Sequence, residues 1–310
     1  MAARRFSRNE LAHPHPLANR GPRWLAGHPV AALLVWFFTV GQAIAFIPTF
    51  ASSPDARLPV QPFAIASTWI GLLLPAVAIT WLIHGRPTAC ALLGGVSAAR
   101  RPLRWYLFCL LVVPLTSLAI VVAMTGTPAD ASPPHVVRAW LIGFAVQTTL
   151  HLLSNNLWEE LAWTGVVQAQ LQTRHSPMIA ALLTAPLFAL QHSPLVFNGS
   201  LAGSAVVMSA LIVLALPFRM VMAWVFNRTG SLLLVGLAHA AGNAVVTSTV
   251  LGPALVPALY GRNFGPVHLF GFAILGIVVV MMTGRRLGLD TAPPPAATRG
   301  LAEGGRRHGT

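Results

Sequence analysis

Apolar and polar stretches alternate along the chain, and eight apolar runs stand out: 29–50, 65–84, 104–125, 139–168, 177–196, 205–227, 231–251 and 266–283. About 20 predominantly apolar residues carry a helix across the hydrocarbon core, and each run is near or above that length. The expected fold is therefore all-α, a polytopic transmembrane helix bundle of about eight spans. The fourth run is too long for one straight span; it either projects beyond the bilayer or breaks near Ser154-Asn155-Asn156. Residues 85–103, with Gly94, Gly95 and Arg100-Arg101, read as an interfacial elbow helix. The chain thus divides into a basic cytoplasmic tail (1–28), a transmembrane domain (29–283) and a basic, disordered tail (284–310) containing Pro293-Pro294-Pro295. Ala43-Ile44-Ala45 resembles a cleavage site, but the long polar region before the first run favours a retained signal anchor.

Composition removes the soluble classes. The chain is 55% hydrophobic and only 9% charged, where a soluble domain carries about 25% charged residues. Its 20 basic residues are all Arg, its acids number seven, and the net charge is +13. In a chain this apolar the basic excess reports topology rather than nucleic-acid binding, so no nucleic-acid partner is expected. With the N-terminus inside, sixteen arginines fall on inside segments, while Arg57, Arg138 and Arg262 lie outside. Both termini are therefore expected in the cytoplasm, and the lipid bilayer is the first partner. The all-Arg, Ala-rich composition suggests a GC-rich bacterial genome and hence a bacterial plasma membrane. Cys90 and Cys109 have no metal-ligand spacing and read as small apolar filler.

Of the seven acids, Glu10, Asp55, Asp130, Asp290 and Glu303 lie in tails or polar loops, while Glu159 and Glu160 are adjacent inside a span. Ionised and unpaired, that pair would cost roughly 5–7 kcal/mol at mid-membrane. His151, Asn155 and Glu159 recur every four residues on one helical face, with Asn156, Glu160 and Thr164 on the adjacent stripe. Such a seam must face protein or a water-filled cavity, and His151 alone reads as a structural hydrogen-bond partner. The next spans bring Phe188 with His192, and His239 with Asn243, each pair four apart. Three polar-bearing spans point to one pocket. A carboxylate there can accept a proton from water, and imidazole and carboxamide N–H groups can stabilise an oxyanion. Alternatively, Glu and two His can hold a zinc ion and an activated water. Both arrangements point to hydrolysis, and residue types alone do not choose between them. There is no His-Glu-x-x-His, no Gly-x-Ser-Gly in a span and no aspartate in a span, so three other protease chemistries are missing.

These motifs resemble the CAAX prenyl endopeptidase and bacteriocin-processing (CPBP, or Abi) family of intramembrane proteases. The family pattern is Glu-Glu-x-x-x-Arg, Phe-x-x-x-His and His-x-x-x-Asn/Asp on successive helices. Here it reads Glu159-Glu160 through Thr164, Phe188 to His192, and His239 to Asn243. The resemblance spans about 140–250. It implies an endopeptidase in which Glu159 activates water, His192 helps to position it, His239 and Asn243 stabilise the oxyanion, and Glu160 supports the site. Relatives are often labelled metalloproteases, so one divalent metal such as zinc, on Glu159, His192 and His239, stays open beside a metal-free glutamate mechanism, which is favoured. The family Arg falls at Thr164, so Glu160 is either protonated or balanced by another cation. Arg219, the one arginine buried within a span, just after Pro217, is the candidate, the alternative being that it snorkels to the interface. With straight spans His192 sits about 9 Å nearer the outside than Glu159 at 1.5 Å per residue; tilt, a kink at Pro186 or different helix limits must close that gap.

The substrate is expected to be a peptide or protein segment reaching the pocket from the membrane or its cytoplasmic face. Prenylated CAAX substrates are implied only by eukaryotic relatives, and bacteriocin maturation or self-immunity is equally open. Two other classes remain: a proton-coupled transporter or channel using the Glu pair, and a catalytically decayed scaffold or immunity protein. The lack of an internal repeat counts against the transporter.

Overall fold

The apolar runs fold as helices throughout the computed structural model, which describes residues 23–53, 56–96, 100–197 and 200–289. Most of both expected tails lies outside the described residues. Six helices are long and apolar enough to cross a membrane: α1 (Pro29–Ala51), α2 (Val60–His84), α4 (Leu103–Thr125), α5 (Pro133–Leu171), α7 (Leu201–Thr229) and α9 (Val267–Arg286). Two apolar helices are shorter, α6 (Pro177–Leu190) and α8 (Leu232–Val246). The elbow is α3 (Arg86–Gly94). Among the described residues there is no strand, only isolated bridges within two turns, Ser53–Ala56 and Thr249–Gly252.

Among the described residues the expected bundle of about eight spans is thus made of six full-length helices and two short ones. At 1.5 Å per residue α6 and α8 reach only about 21–23 Å, against about 30 Å of hydrocarbon. The run expected to continue to 196 stops at Leu190, and Ser193–Val196 forms a separate turn of helix. The run expected to reach 251 stops at Val246. Where a break near Ser154-Asn155-Asn156 was one expectation, α5 continues for 39 residues. It absorbs the polar residues in a π-helical turn at Leu152–Asn156, flanked by others at Leu141–Val146 and Trp163–Gln168. Such wide turns recur at functional sites. At the other end of the chain, Gly284–Arg286 close α9 with a 3-10 turn and Leu287 packs into the core, so ordered structure runs past 283.

Serine caps start the three helices around the centre: Ser176 accepts from the Ile179 amide, Ser200 from Gly203 and Ser231 from Leu234. Gly230, at φ +61°, ends α7 and lets α8 start within two residues. α8 is buried along nearly its whole length because it is built from small residues, which let neighbouring backbones come close. A Cβ at Gly236 would lie 3.0 Å from the Leu157 Cα of α5, and one at Gly242 would lie 2.7 Å from the Phe272 ring of α9. The outer faces carry the reverse pattern, with Phe50, Leu103, Met124, Val206, Met281 and Met282 exposed. An apolar surface this extensive fits lipid rather than water.

Candidate active site

Helix length sets the depth of the site. Glu159 lies twelve residues before the end of α5 at Leu171, and Leu190 lies thirteen residues after the start of α6 at Pro177. At 1.5 Å per residue both sit about 18–20 Å from the short 172–176 connection. The longer α5 narrows the gap anticipated for straight spans, and α6, with Pro186 in its interior, ends at Leu190 before His192 is reached. His192 follows α6 in a turn at this level, and α8 brings His239 and Asn243 alongside.

These residues line one cavity of about 470 Å³. Glu159, His192, His239 and Asn243 all face it, together with His151, Asn155 and Asn156. Glu160 does not. Its side chain turns into the packed interior, where it is 0% exposed.

Arg219 meets it there. Also 0% exposed, Arg219 donates from Nη1 to Glu160 Oε1 at 3.0 Å and Oε2 at 2.9 Å, and from Nη2 to Thr164 Oγ1 at 2.8 Å. The Thr164 hydroxyl in turn donates to Glu160 Oε2. The cation missing from position 164 is thus supplied across the bundle by α7, and Arg219 does not snorkel to the interface. Its guanidinium carbon lies 5.3 Å from the Phe188 ring centroid and 5.9 Å from that of Phe218, within the range of cation–π attraction.

His239 joins this buried pair to the cavity. Its Nδ1 is 3.1 Å from Glu160 Oε1 and 3.9 Å from Glu159 Oε2. An ionised carboxylate only accepts, so Nδ1 carries a hydrogen and the other ring nitrogen remains for the cavity. On the opposite side, the Thr68 hydroxyl donates to Glu159 Oε1 at 3.4 Å. Asn243 donates to Asn156 Oδ1 at 3.2 Å, orienting its carboxamide. His192 Nδ1 donates to the Phe188 carbonyl at 3.2 Å, which leaves Nε2 of a neutral ring as an acceptor. Phe188 packs edge-on to His192 and His239, with centroids 5.2 and 5.6 Å away, and stacks on Phe218 at 5.0 Å. Its ring therefore fixes both imidazoles and the Arg219 pocket. His151 donates from Nε2 to the Thr247 carbonyl at 3.0 Å, a structural bond at the cavity wall.

Two contributors had no clear signal in the sequence. The first three spans carried no motif, yet α1 and α2 wall the cavity through Phe37, Thr68 and Leu72. His268, near the start of α9, also lines it. The zinc alternative fares differently. The expected set was Glu159, His192 and His239, and among the described residues no three His, Cys, Asp or Glu side chains are grouped to hold an ion. The side chains as placed do not fit a metal.

Residues 139–245 match the profile of the family described as Rce1-like, type II CAAX prenyl endopeptidase. That segment runs from α5 to α8 and contains all five residues expected in the site. A comparison with curated proteins gives no match.

Proposed function

We propose that the protein is a membrane-embedded endopeptidase that hydrolyses a peptide bond with water activated by Glu159. One observation carries this reading: the carboxylate, two imidazoles and a carboxamide converge on a single cavity among apolar helices, within the segment that matches the endopeptidase profile. In the reaction, a water between Glu159 and the acceptor nitrogen of His192 loses a proton to the carboxylate as its oxygen attacks the substrate carbonyl carbon. The oxyanion formed is met by N–H donors of His239 and Asn243. Glu159 then returns the proton to the leaving nitrogen as the C–N bond breaks, giving a carboxylic acid and an amine, which exchange a proton to leave as carboxylate and ammonium. No step passes through a metal.

The buried ion pair supports the assignment. Arg219 balances Glu160, which leaves the Glu159 carboxylate to the cavity, and His239, whose Nδ1 faces both carboxylates, joins the two. Glu160 and Arg219 thus act through His239 as positioning residues, and Thr164 does not mark a decayed site.

Proteoliposomes containing the purified protein and a membrane peptide test this. Cleavage is expected in the parent protein, to survive a metal chelator, and to fall by about 10²–10⁴-fold in Glu159→Ala. Removal of the Asn243 donor in Asn243→Ala is expected to lower kcat by about 10²–10³-fold. Proton or solute flux that disappears in Glu159→Ala, with no cleavage in the parent, would replace the endopeptidase by the transporter reading.

A further inference from the structure

The cavity and the arginines lie at opposite ends of the bundle. On one side, the end of α7 meets the end of α9 through Asn227 Nδ2 and the Leu287 carbonyl, 3.0 Å apart. Beside them lie the start of α8, the elbow α3 and the α5–α6 connection, with Arg86, Arg174, Arg228, Arg285 and Arg286. The other side gathers the opposite ends: Tyr260 donates to the Gly126 carbonyl after α4, and Asn263 to the Val246 carbonyl at the end of α8. Among the described residues only Arg57, Arg138 and Arg262 belong to that face. By the positive-inside rule the arginine-rich end is cytoplasmic.

Towards that end the cavity is shut. Below Glu159 the bundle is filled by Trp163, Val167, Met222, Val225 and Leu234, all inaccessible to solvent, and by the sealed Glu160–Arg219 pair. Towards the other end the wall continues through Val60 and Gln61 at the start of α2, Thr247 and Ser248 after α8, and Pro266 and His268 at the start of α9. Val60, Gln61, Thr247 and Ser248 are exposed. The wall is uncharged apart from Glu159 and the histidines, and much of it is apolar, as at Phe37, Leu72, Leu211 and Leu269. Among the described residues no arginine lines it to bind a free C-terminal carboxylate.

We propose that the cavity is loaded from the extracytoplasmic side, by an uncharged, largely apolar peptide segment that has been exported or that ends a membrane helix on that face. This deepens the endopeptidase reading and rests on it for what happens to the bound segment. Of the two routes considered from the sequence, the cytoplasmic one is replaced, because the packed core blocks it.

Access can be read without any cleavage. In a Cys90→Ala/Cys109→Ala background, Gln61→Cys places a thiol at the mouth, and Arg174→Cys places one in the exposed α5–α6 connection. Spheroplasts are treated with a membrane-impermeant maleimide before and after the membrane is opened. Gln61→Cys is expected to label in intact spheroplasts, with near-complete loss of labelling for Arg174→Cys until permeabilisation. Labelling of Arg174→Cys in intact spheroplasts, or of Gln61→Cys only after opening, overturns the proposal. Ser248→Cys serves as the mouth reporter if Gln61→Cys does not accumulate. A capped Leu/Ala peptide added outside is expected to slow mouth labelling, whereas an Arg-containing peptide of equal length is not; equal protection by both overturns the substrate class. A chain that labels from outside yet never cleaves keeps the access route and sinks the endopeptidase reading.

Discussion

At the scale of single residues, the Glu160–Arg219 pair decides whether the site can exist. Two charges sealed from water are tolerated only when their hydrogen bonds are made, and removal of one partner leaves the other uncompensated at a cost of about 3–5 kcal/mol. Arg219→Gln is therefore expected to lower stability by that amount in detergent, measured by thermal unfolding, and the double variant Glu160→Gln/Arg219→Gln to recover most of it. A single variant as stable and active as the parent contradicts the pairing. Much of this was legible in the sequence, because acids are so scarce that Glu159 and Glu160 stand alone within the spans and Arg219 is the one arginine far from the end of a span. Thr68 was not legible. Hydroxyls in apolar helices commonly bond their own backbone, as Thr80 does to Ala76 and Ser117 to Val113, so a threonine in such a run does not reveal which one reaches a catalytic carboxylate. His268 stands near a helix start with no motif partner, and only the packing of α9 against α4 and α7 brings it to the cavity.

At the scale of helices, hydropathy located the eight long apolar elements but missed the short buried helix Leu255–Tyr260 and misjudged where α6 and α8 stop. Apolar content counts side chains, whereas a helix ends where backbone hydrogen bonding changes. After Leu190 the pair Ser193-Pro194 marks the stop, since Pro194 has no N–H for the Leu190 carbonyl, which accepts from the Ser193 hydroxyl instead, and proline suits the first turn of a new helix. The π-helical turns of α5 carry no comparable mark in the sequence. Close packing at glycine makes a separate test. A Cβ at Gly276 of α9 would lie 2.5 Å from the Pro217 Cβ and 2.9 Å from its backbone, whereas one at Gly27 would meet nothing within 4 Å. Gly276→Ala is expected to lower stability by about 1–3 kcal/mol and Gly27→Ala to leave it unchanged in the same thermal measurement. Equal melting of the two variants contradicts the α7–α9 contact.

At the scale of the whole molecule, charge and cavity make one asymmetric object: arginines at one end, a blind apolar cavity open at the other, and a carboxylate at its floor. The fold class and the motif-bearing core were readable from periodicity and spacing. The direction in which the cavity opens was not, because it depends on which end of the bundle is filled by core residues. The central claim is that Glu159 drives peptide-bond hydrolysis in the membrane. Its most direct test compares newly formed N-termini in membranes from cells producing the parent protein and from cells producing Glu159→Gln at equal levels. Expected are N-termini that occur only with the parent and map to uncharged, apolar segments of membrane or exported proteins. Identical sets of N-termini from the two membranes would contradict the claim.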